Sequence, residues 1–497
     1  MKSKYIVYAG LAFVGMGTMV SCKKSFLELH PKGEFLQSDY YANPDQALTG
    51  VVAAYDPLVT ETGGIDNTYS SPLGALNSAG DDCFAGGGGP SDIPAWQAIN
   101  NYTMSPTVGP QNQFWAINFQ GVNRTEVLLE QLPKVPGLST DLLKRYTAEA
   151  KFLRAHYYFD LVRLFKNVPL ILNTLNLTNV FDQPQATPEA VYAQIEKDLT
   201  EAIPDLPLTV PASEGGRVTQ PAGQALLGKV FLYEKKWADA ATWLNKVNTN
   251  PVYKLQTKFG DIFSVTNKFN SESIFELVHS GTQSYTWDNW NQFKSNVYVQ
   301  TIGVRNYKGP IYLSGYGFNP VTTQLANAMK GDPRYGYTVV NIDSLTKATG
   351  GSYDQSYQGT GYFIQKYAPT AANKITTGTT ELNWPNDYIE IRLADTYLME
   401  AEADLNGGGD LSRAQTLLDA VRSRVGLASK PATLQNIYDE RRLELATEGH
   451  RWFDLVRWGQ APSVLAFKGF KAGVNEILPI PLNETTNGTK IKQNPGY

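Results

Sequence analysis

Between Tyr285 and Phe318 the chain carries nine aromatic residues in thirty-four: Tyr285, Trp287, Trp290, Phe293, Tyr298, Tyr307, Tyr312, Tyr316 and Phe318. That is about twice the chain's aromatic content of 12%. Interleaved are Asp288, Asn289, Asn291, Gln292, Asn296, Gln300, Arg305 and Asn306. An aromatic face stacks on the CH-rich face of a pyranose, and amides, carboxylates and guanidinium groups bond its hydroxyls. Trp287, Asp288, Asn289, Trp290, Tyr298 and Tyr316 are therefore candidate glycan contacts. Two other readings suit the same composition: a local core beneath a long loop, and a contact with a partner protein. Upstream, the Gly-, Ser- and Asp-rich stretch 63–110 adds Trp96 for stacking and Asp81 and Asp82 for polar contacts. Asp82 and Asp288 could instead be the paired carboxylates of a glycoside hydrolase, which would release reducing ends.

A second chemistry-bearing stretch runs from Tyr438 to Gly459, YDERRLELATEGHRWFDLVRWG. Nine of its twenty-two residues are charged, against 18% for the chain, and Trp452, Phe453 and Trp458 sit among them. One reading takes Glu448 and His450 as an acid–base pair. The other takes Glu440, Arg441, Glu444, Arg451, Asp454 and Arg457 as a structural ion network around a buried pair of tryptophans. Buried charges persist only when paired, and the segment carries opposite charges for nearly all its own.

Composition narrows the classes. At 497 residues the chain can bury one large core or two packed ones. A net charge of −4 argues against nucleic acid, which needs a basic face. Two cysteines and four histidines exclude a multi-cysteine zinc site, and no motif implies a metal or cofactor. Gly86 to Gly89 are not a phosphate loop, because no Gly-Lys-Ser/Thr follows.

The elements that must position these residues are mostly helical. Helical periodicity marks 45–59, 114–132 and 141–165, the last with a stripe of Phe152, Ala155, Phe159 and Val162. Thr187 is the expected N-cap of a helix over 188–203, with Pro188 at its first position. Residues 222–247 read as a helix–turn–helix pair that breaks near Lys235. A second pair spans 389–405 and 411–425 around Gly407, Gly408 and Gly409. The expectation is a mainly α fold with tetratricopeptide-like helical pairs, an α-solenoid-like core, and a loop-rich, mixed variable region. Residues 273–278 read as a strand, and 350–384 as hairpins and loops.

The N-terminus reads as an export signal. Lys2 and Lys4 precede an apolar run to Val20, and Met19-Val20-Ser21-Cys22 resembles a bacterial lipobox. Cys22 is then the expected lipidation site, anchored through several acyl chains. Lys23 to Pro31, KKSFLELHP, reads as an extended tether. With Cys22 acylated, Cys83 has no partner for an intrachain disulfide.

Five segments in order carry a family resemblance: FWAINFQGVNRTEVLLEQLP (114–133), AEAKFLRAHYYFDLVRLFKNVPLI (148–171), NPVTTQLANAMKGDPR (319–334), the 438–459 stretch, and ILPIPLNETTNGTKIKQNPGY (477–497). Together, behind a lipobox, they resemble the SusD/RagB family of nutrient-binding outer-membrane lipoproteins. The chain departs from the pattern at Phe119 (Tyr is common), Lys166 (Gly is common), Thr447 (an aromatic is common) and Lys23-Lys24, where an acidic residue often follows the cysteine. The resemblance implies capture of oligosaccharides or polysaccharides without catalysis, and hand-over to a SusC-like TonB-dependent transporter. Capture of peptides as a transporter lid is the alternative. It implies a cell-surface protein held in the outer membrane by lipid on Cys22. The expected organisation is a signal peptide (1–21), lipidated tether (22–36), N-terminal helical region (37–250), variable ligand region (251–388) and C-terminal helical region (389–497).

Overall fold

A computed structural model of the chain describes residues 41–63, 70–176, 178–282, 284–288, 295–488 and 490–497. Cys22, Asn289 and Trp290 lie outside the described residues.

Capping residues set the starts of the main helices. Asn43 accepts from the Gln46 N–H and opens α1, Pro44–Tyr55. Ser71 opens α2, Pro72–Ala79, and is followed by α3, Pro94–Asn100, and the long α4, Gln111–Gln131. Ser139 caps α5, Thr140–Phe165, whose stripe of Phe152, Ala155, Phe159 and Val162 is buried as the spacing anticipates. Removing Phe152 or Phe159 to Ala should cost about 3–5 kcal/mol. α5 stops at Lys166, which sits at φ +67°, a conformation that glycine adopts more readily than lysine. A short ribbon follows: β1, Val168–Pro169, pairs antiparallel with β2, Gln185–Ala186. Thr187 then caps α6, Pro188–Ala202, by accepting from the Ala190 N–H.

The first helical pair is α7, Gln220–Tyr233, and α8, Trp237–Asn248, separated by Lys235 at φ +61°. A methyl on Gly228 of α7 would lie 2.6 Å from Leu244 Cγ of α8, so a glycine lets the two backbones approach. β3, Ser273–Leu277, comes next, then the short helix α9, Val297–Ile302. A small ribbon joins β4, Val339–Asn341, to β5, Tyr362–Ile364, antiparallel.

The second pair differs from expectation at its start. Residues 389–392 are not helix. They belong to β6, Tyr388–Arg392, which pairs antiparallel with β3. β-Branched Ile389 and Ile391 and the extended Arg392 suit the strand. The helix α10, Leu393–Gly407, begins only after it and turns at Gly408, φ +66°, into α11, Leu411–Arg424. α12, Leu434–Glu444, and α13, Arg451–Arg457, follow.

Successive helices pack as neighbours: α4 on α5, α5 on α6, α6 on α7, α7 on α8, α8 on α10, and α10 on α11 and α12. The fold is the expected helical stack. One hydrophobic core runs from α1 through α5 to the C-terminal Leu478 and Ile480. Cys83 is buried within it as a free thiol.

Candidate functional site

The 438–459 stretch folds into α12, a turn and α13. The turn needs left-handed backbone at Thr447, φ +69°, and Gly449, φ +84°. Its charges are indeed paired, but the partners come mostly from elsewhere in the chain. Arg392 of β6 reaches Glu272 at 2.8 Å, Glu444 at 2.6 Å and Glu448 at 2.8 Å. Arg334 bonds Glu440 at 2.7 Å and Glu444 at 2.8 Å. Arg441 bridges Asp395 and Asp454. Arg451 stands apart, bound to Asp81 at 2.7 Å. Burial alone would raise the Glu444 carboxyl, but Arg424, Arg392 and Arg334 hold it well below the usual range.

This hub has no geometry for acid–base catalysis. Glu448 is fully buried and bonds both Arg392 and Lys366. Burial holds His450 neutral, lowering it to about 4. The adjoining cavity is only about 40 Å³. The tryptophan pair is also corrected: Trp452 is buried, while Trp458 is half-exposed and stacks on Tyr438 at 3.8 Å between ring centroids.

The loops give a different arrangement. Three of them, 84–93, 304–320 and 352–358, are stitched into one platform. The Gly87 N–H donates to the Gly317 carbonyl at 2.9 Å, and the Tyr357 N–H to the Gly87 carbonyl at 2.8 Å. The Asp354 N–H donates to the Arg305 carbonyl at 2.9 Å, and Asn306 Nδ2 to Asp354 Oδ2 at 2.6 Å. Gly86 and Gly87 are required by this contact. Both have positive φ, and a Cβ would lie 2.4 Å from Pro320 and 2.6 Å from the Phe318 ring respectively. Nine non-glycine residues among those described have positive φ, and Ile93, Asn306, Asn319 and Gln358 fall on these loops. For β-branched Ile93 this conformation costs on the order of 1–3 kcal/mol, the kind of strain that clusters at binding sites.

Arg305, interleaved with the loop aromatics in the sequence but not among the candidate contacts drawn from it, stands out here. Its guanidinium lies over Gly88, where a Cβ would approach Nη1 to 2.8 Å. It forms no ion pair with a carboxylate among the described residues, unlike the arginines of the hub. Around it, Tyr316 and Tyr357 are half-buried. Phe84, on the same loop as Gly88, meets the exposed Phe467 edge-on at 6.5 Å. The detectable signal was an arginine close to several aromatics in a Gly-rich loop, facing another Gly-rich loop.

Several expected contacts sit beneath the platform rather than on it. Trp96 is fully buried, edge-on to Phe318 at 5.4 Å. Tyr298 is buried; its hydroxyl accepts from Asn77 and donates to Asn319 Oδ1 at 2.9 Å. Asp82 bonds Arg442 and Asp81 bonds Arg451 and Arg442, so both carboxylates are buried in ion pairs. These four side chains offer no face to a ligand in this structure, because the core needs their rings and charges to hold the loops. Pairing Asp82 with Asp288 as a hydrolase dyad fails for the same reason: Asp82 is buried, whereas Asp288 is exposed. Trp287 is 47% exposed, as a stacking ring would be.

Comparison with known proteins agrees with this architecture. The model described as the SusD family matches residues 271–476. The model described as "Starch-binding associating with outer membrane" matches residues 43–232. A solved laminarin-binding SusD-like protein is 46% identical, with a TM-score of 0.87 over 92% of this chain and 100% of its own. A surface glycan-binding protein A from Bacteroides thetaiotaomicron, solved with laminarihexaose, is 27% identical, with a TM-score of 0.83 over 91% of this chain and 99% of its own. A SusD-like protein of Bacteroides ovatus is 27% identical over 92% of this chain and 83% of its own. Segment order, helical stack and full-length similarity agree, and the chain belongs to the SusD family.

Proposed function

We propose that the chain is a cell-surface lipoprotein that captures a neutral glycan of the laminarin kind on the 84–93/304–320/352–358 platform. It passes the glycan to a SusC-like TonB-dependent transporter in the outer membrane and does no chemistry on it. The observation that carries this reading is the 46% identity, over the full length of that protein, to a laminarin-binding relative. The platform supports it with half-buried aromatic rings beside an arginine that no carboxylate among the described residues neutralises. Rings such as Tyr316 and Tyr357 stack on sugar faces, while Arg305 donates to hydroxyls. Trp287 and Asp288, with Asn289 and Trp290, are proposed to extend the contact. Burial of Asp82, one of the two carboxylates considered for a hydrolase, in an ion pair with Arg442 supports capture without catalysis.

The test is calorimetry and affinity electrophoresis against laminarin, starch and a neutral galactan, using the wild type and Arg305→Ala. Binding of laminarin alone, weakened by the substitution, is the expected result. A folded protein that binds none of the three would shift the reading to peptides. Released reducing ends would show a hydrolase.

A further inference from the structure

The ladder between β3 and β6 ends where Leu277 lies opposite Tyr388. Nearby Pro385 has no N–H with which to continue it. A side chain takes over: Asp387 Oδ1 accepts from the His279 N–H at 2.7 Å. Lys268 Nζ donates to the same oxygen at 2.7 Å and to the His279 carbonyl at 2.7 Å. Both backbone groups of His279 are thus fixed through Asp387 and Lys268. The chain then runs on to Tyr285, whose N–H donates to Asn383 Oδ1 at 3.1 Å and whose carbonyl accepts from the Thr379 N–H at 2.8 Å. Exposed Trp287 follows two residues later. Two clamps, at His279 and at Tyr285, therefore set where the Trp287 ring is presented.

The first clamp holds one carboxylate too many. Glu276 of β3 is buried and lies within hydrogen-bonding reach of Asp387, whose side chain is only 3% exposed. Lys268 is the one cation that pairs with either of them among the described residues. Tyr367, which faces Glu276 from the segment after β5, is kept neutral by burial. Glu276 Oε2 accepts from the Phe269 N–H at 3.0 Å and from Ser273 Oγ at 2.6 Å. Asp387 Oδ2, in contrast, is buried with no donor. The cavity beside the pair is about 10 Å³, at the lower limit for a single water. Two dry carboxylates sharing one ammonium do not both stay ionised; one keeps its proton. Asp387 carries the ammonium and an N–H on Oδ1, which favour its charged form, so the proton falls to Glu276.

We propose that Glu276 is a carboxylic acid that donates its proton to Asp387 Oδ2, and that this neutral form is a positioning residue for the segment carrying Trp287. The glycan consequence rests on the contact proposed above for Trp287; the proton itself does not. Burial, and then the neighbouring Asp387 carboxylate, push Glu276 up to about 8. Below that pH the acid gives Asp387 Oδ2 its missing donor and the clamp on His279 is closed. As pH rises through about 8 the acid ionises, the donor is lost and the two carboxylates repel across a dry gap. Capture through Trp287 is then strongest at neutral and acid pH and weakens on the alkaline side.

The experiment compares the wild type with Glu276→Gln, which keeps a neutral donor at the same place. The infrared difference between them at about pH 6 should contain the carbonyl stretch of a protonated carboxylic acid. Fluorine NMR of protein labelled with fluorotryptophan, with the Trp287 line assigned through Trp287→Phe, should show that line titrating near 8 in the wild type and staying fixed in Glu276→Gln. Laminarin affinity should match in the two proteins at about pH 7, then fall at least about three-fold by about pH 9.5 in the wild type alone, the loss expected of one broken hydrogen bond. Absence of the acid band, or a Trp287 titration that survives in Glu276→Gln, overturns the proposal. A Trp287 line that titrates while affinity stays level overturns the positioning role. Asp387→Asn serves if Glu276→Gln does not fold: with the neighbouring charge removed, the midpoint should drop below 8, and an unmoved midpoint overturns the pairing. An acid band and a Trp287 titration in a protein that binds no laminarin at any pH keep the proton and overturn the laminarin reading instead.

Discussion

The hub around Glu444 and the platform around Arg305 use the same side-chain types to opposite ends. In the hub every arginine meets carboxylates, and the aromatic rings Phe259 and Phe263 cover the guanidinium group of Arg392. The ions are dry and mutually held, and they fasten β6, α12 and the turn at Arg334 together. On the platform the arginine has no counter-ion among the described residues, the rings are half-buried, and the backbone is strained. A fully satisfied charge cluster rigidifies, whereas an unsatisfied cation beside open rings is available to a ligand. The difference lies in pairing and exposure rather than in composition.

Breaking the hub should have the largest effect. Arg392→Met leaves Glu272, Glu444 and Glu448 facing one another without their shared cation. Loss of one partner from a buried cluster costs about 3–5 kcal/mol. Thermal melting should fall by many degrees, with no change in glycan preference in whatever fraction folds.

Two histidines, the half-buried His450 and the buried His156, sharpen the contrast through pH. His450 titrates at about 4, because burial disfavours its charged form. The unfolded chain therefore binds the extra proton between about pH 6.5 and 4, so stability rises as pH rises across that window. The linkage amounts to about 3 kcal/mol at most. His156 is opposite. Burial alone would lower it, but the Glu390 carboxylate raises it to about 9. Its stabilisation is complete below about pH 6.5 and is lost as pH rises to 9. Unfolding followed across about pH 4–9 should lose its acid limb in His450→Gln and its alkaline limb in His156→Gln. Unaltered slopes in both variants would count against the assignment.

On the platform, Arg305→Ala should weaken laminarin binding roughly 10- to 100-fold, because hydrogen bonds from a charged donor contribute about 1.5–3 kcal/mol. The melting temperature should stay within about a degree, since no ion pair is lost. Gly87→Ala should damage both properties: its φ of +86° and its contact with Phe318 leave no room for a methyl. A variant that bound normally would disconnect the loop stitching from the ligand.

The smallest effect belongs to neither region and calibrates both. Lys166→Gly relieves a lysine held at positive φ at the end of α5 and should raise stability by about 1 kcal/mol. Calorimetry would show it as a slightly higher melting temperature with laminarin affinity unchanged.

Legibility varied with the range of the interaction. Helix limits follow from local chemistry. Thr187 with Pro188, the break at Lys235 and the glycine turn after α10 all lie where capping and backbone preference place them. The 389–392 stretch defeats a local reading because Ile-Glu-Ile-Arg suits either period, and only pairing with β3 makes it a strand. Trp96 and Tyr298 read as surface rings because composition reports ring density without its facing. Their burial comes from Phe318, Asn77 and Asn319, which lie far away in sequence or across a loop. Arg305 was hidden for the converse reason: its lack of a counter-ion is a property of three loops at once.

The helical stack, the order of its pairs, the density of charge near the C-terminus and the family all follow from the residues in chain order. These depend on periodicity, caps and short motifs, which act within a turn or two of chain. Three-dimensional packing settled which arginine is neutralised and which is not, and which rings face solvent. Pairing and burial depend on groups hundreds of residues apart, as Asp81 with Arg451 and Lys468 with the Cys83 carbonyl illustrate, and no local pattern encodes such meetings.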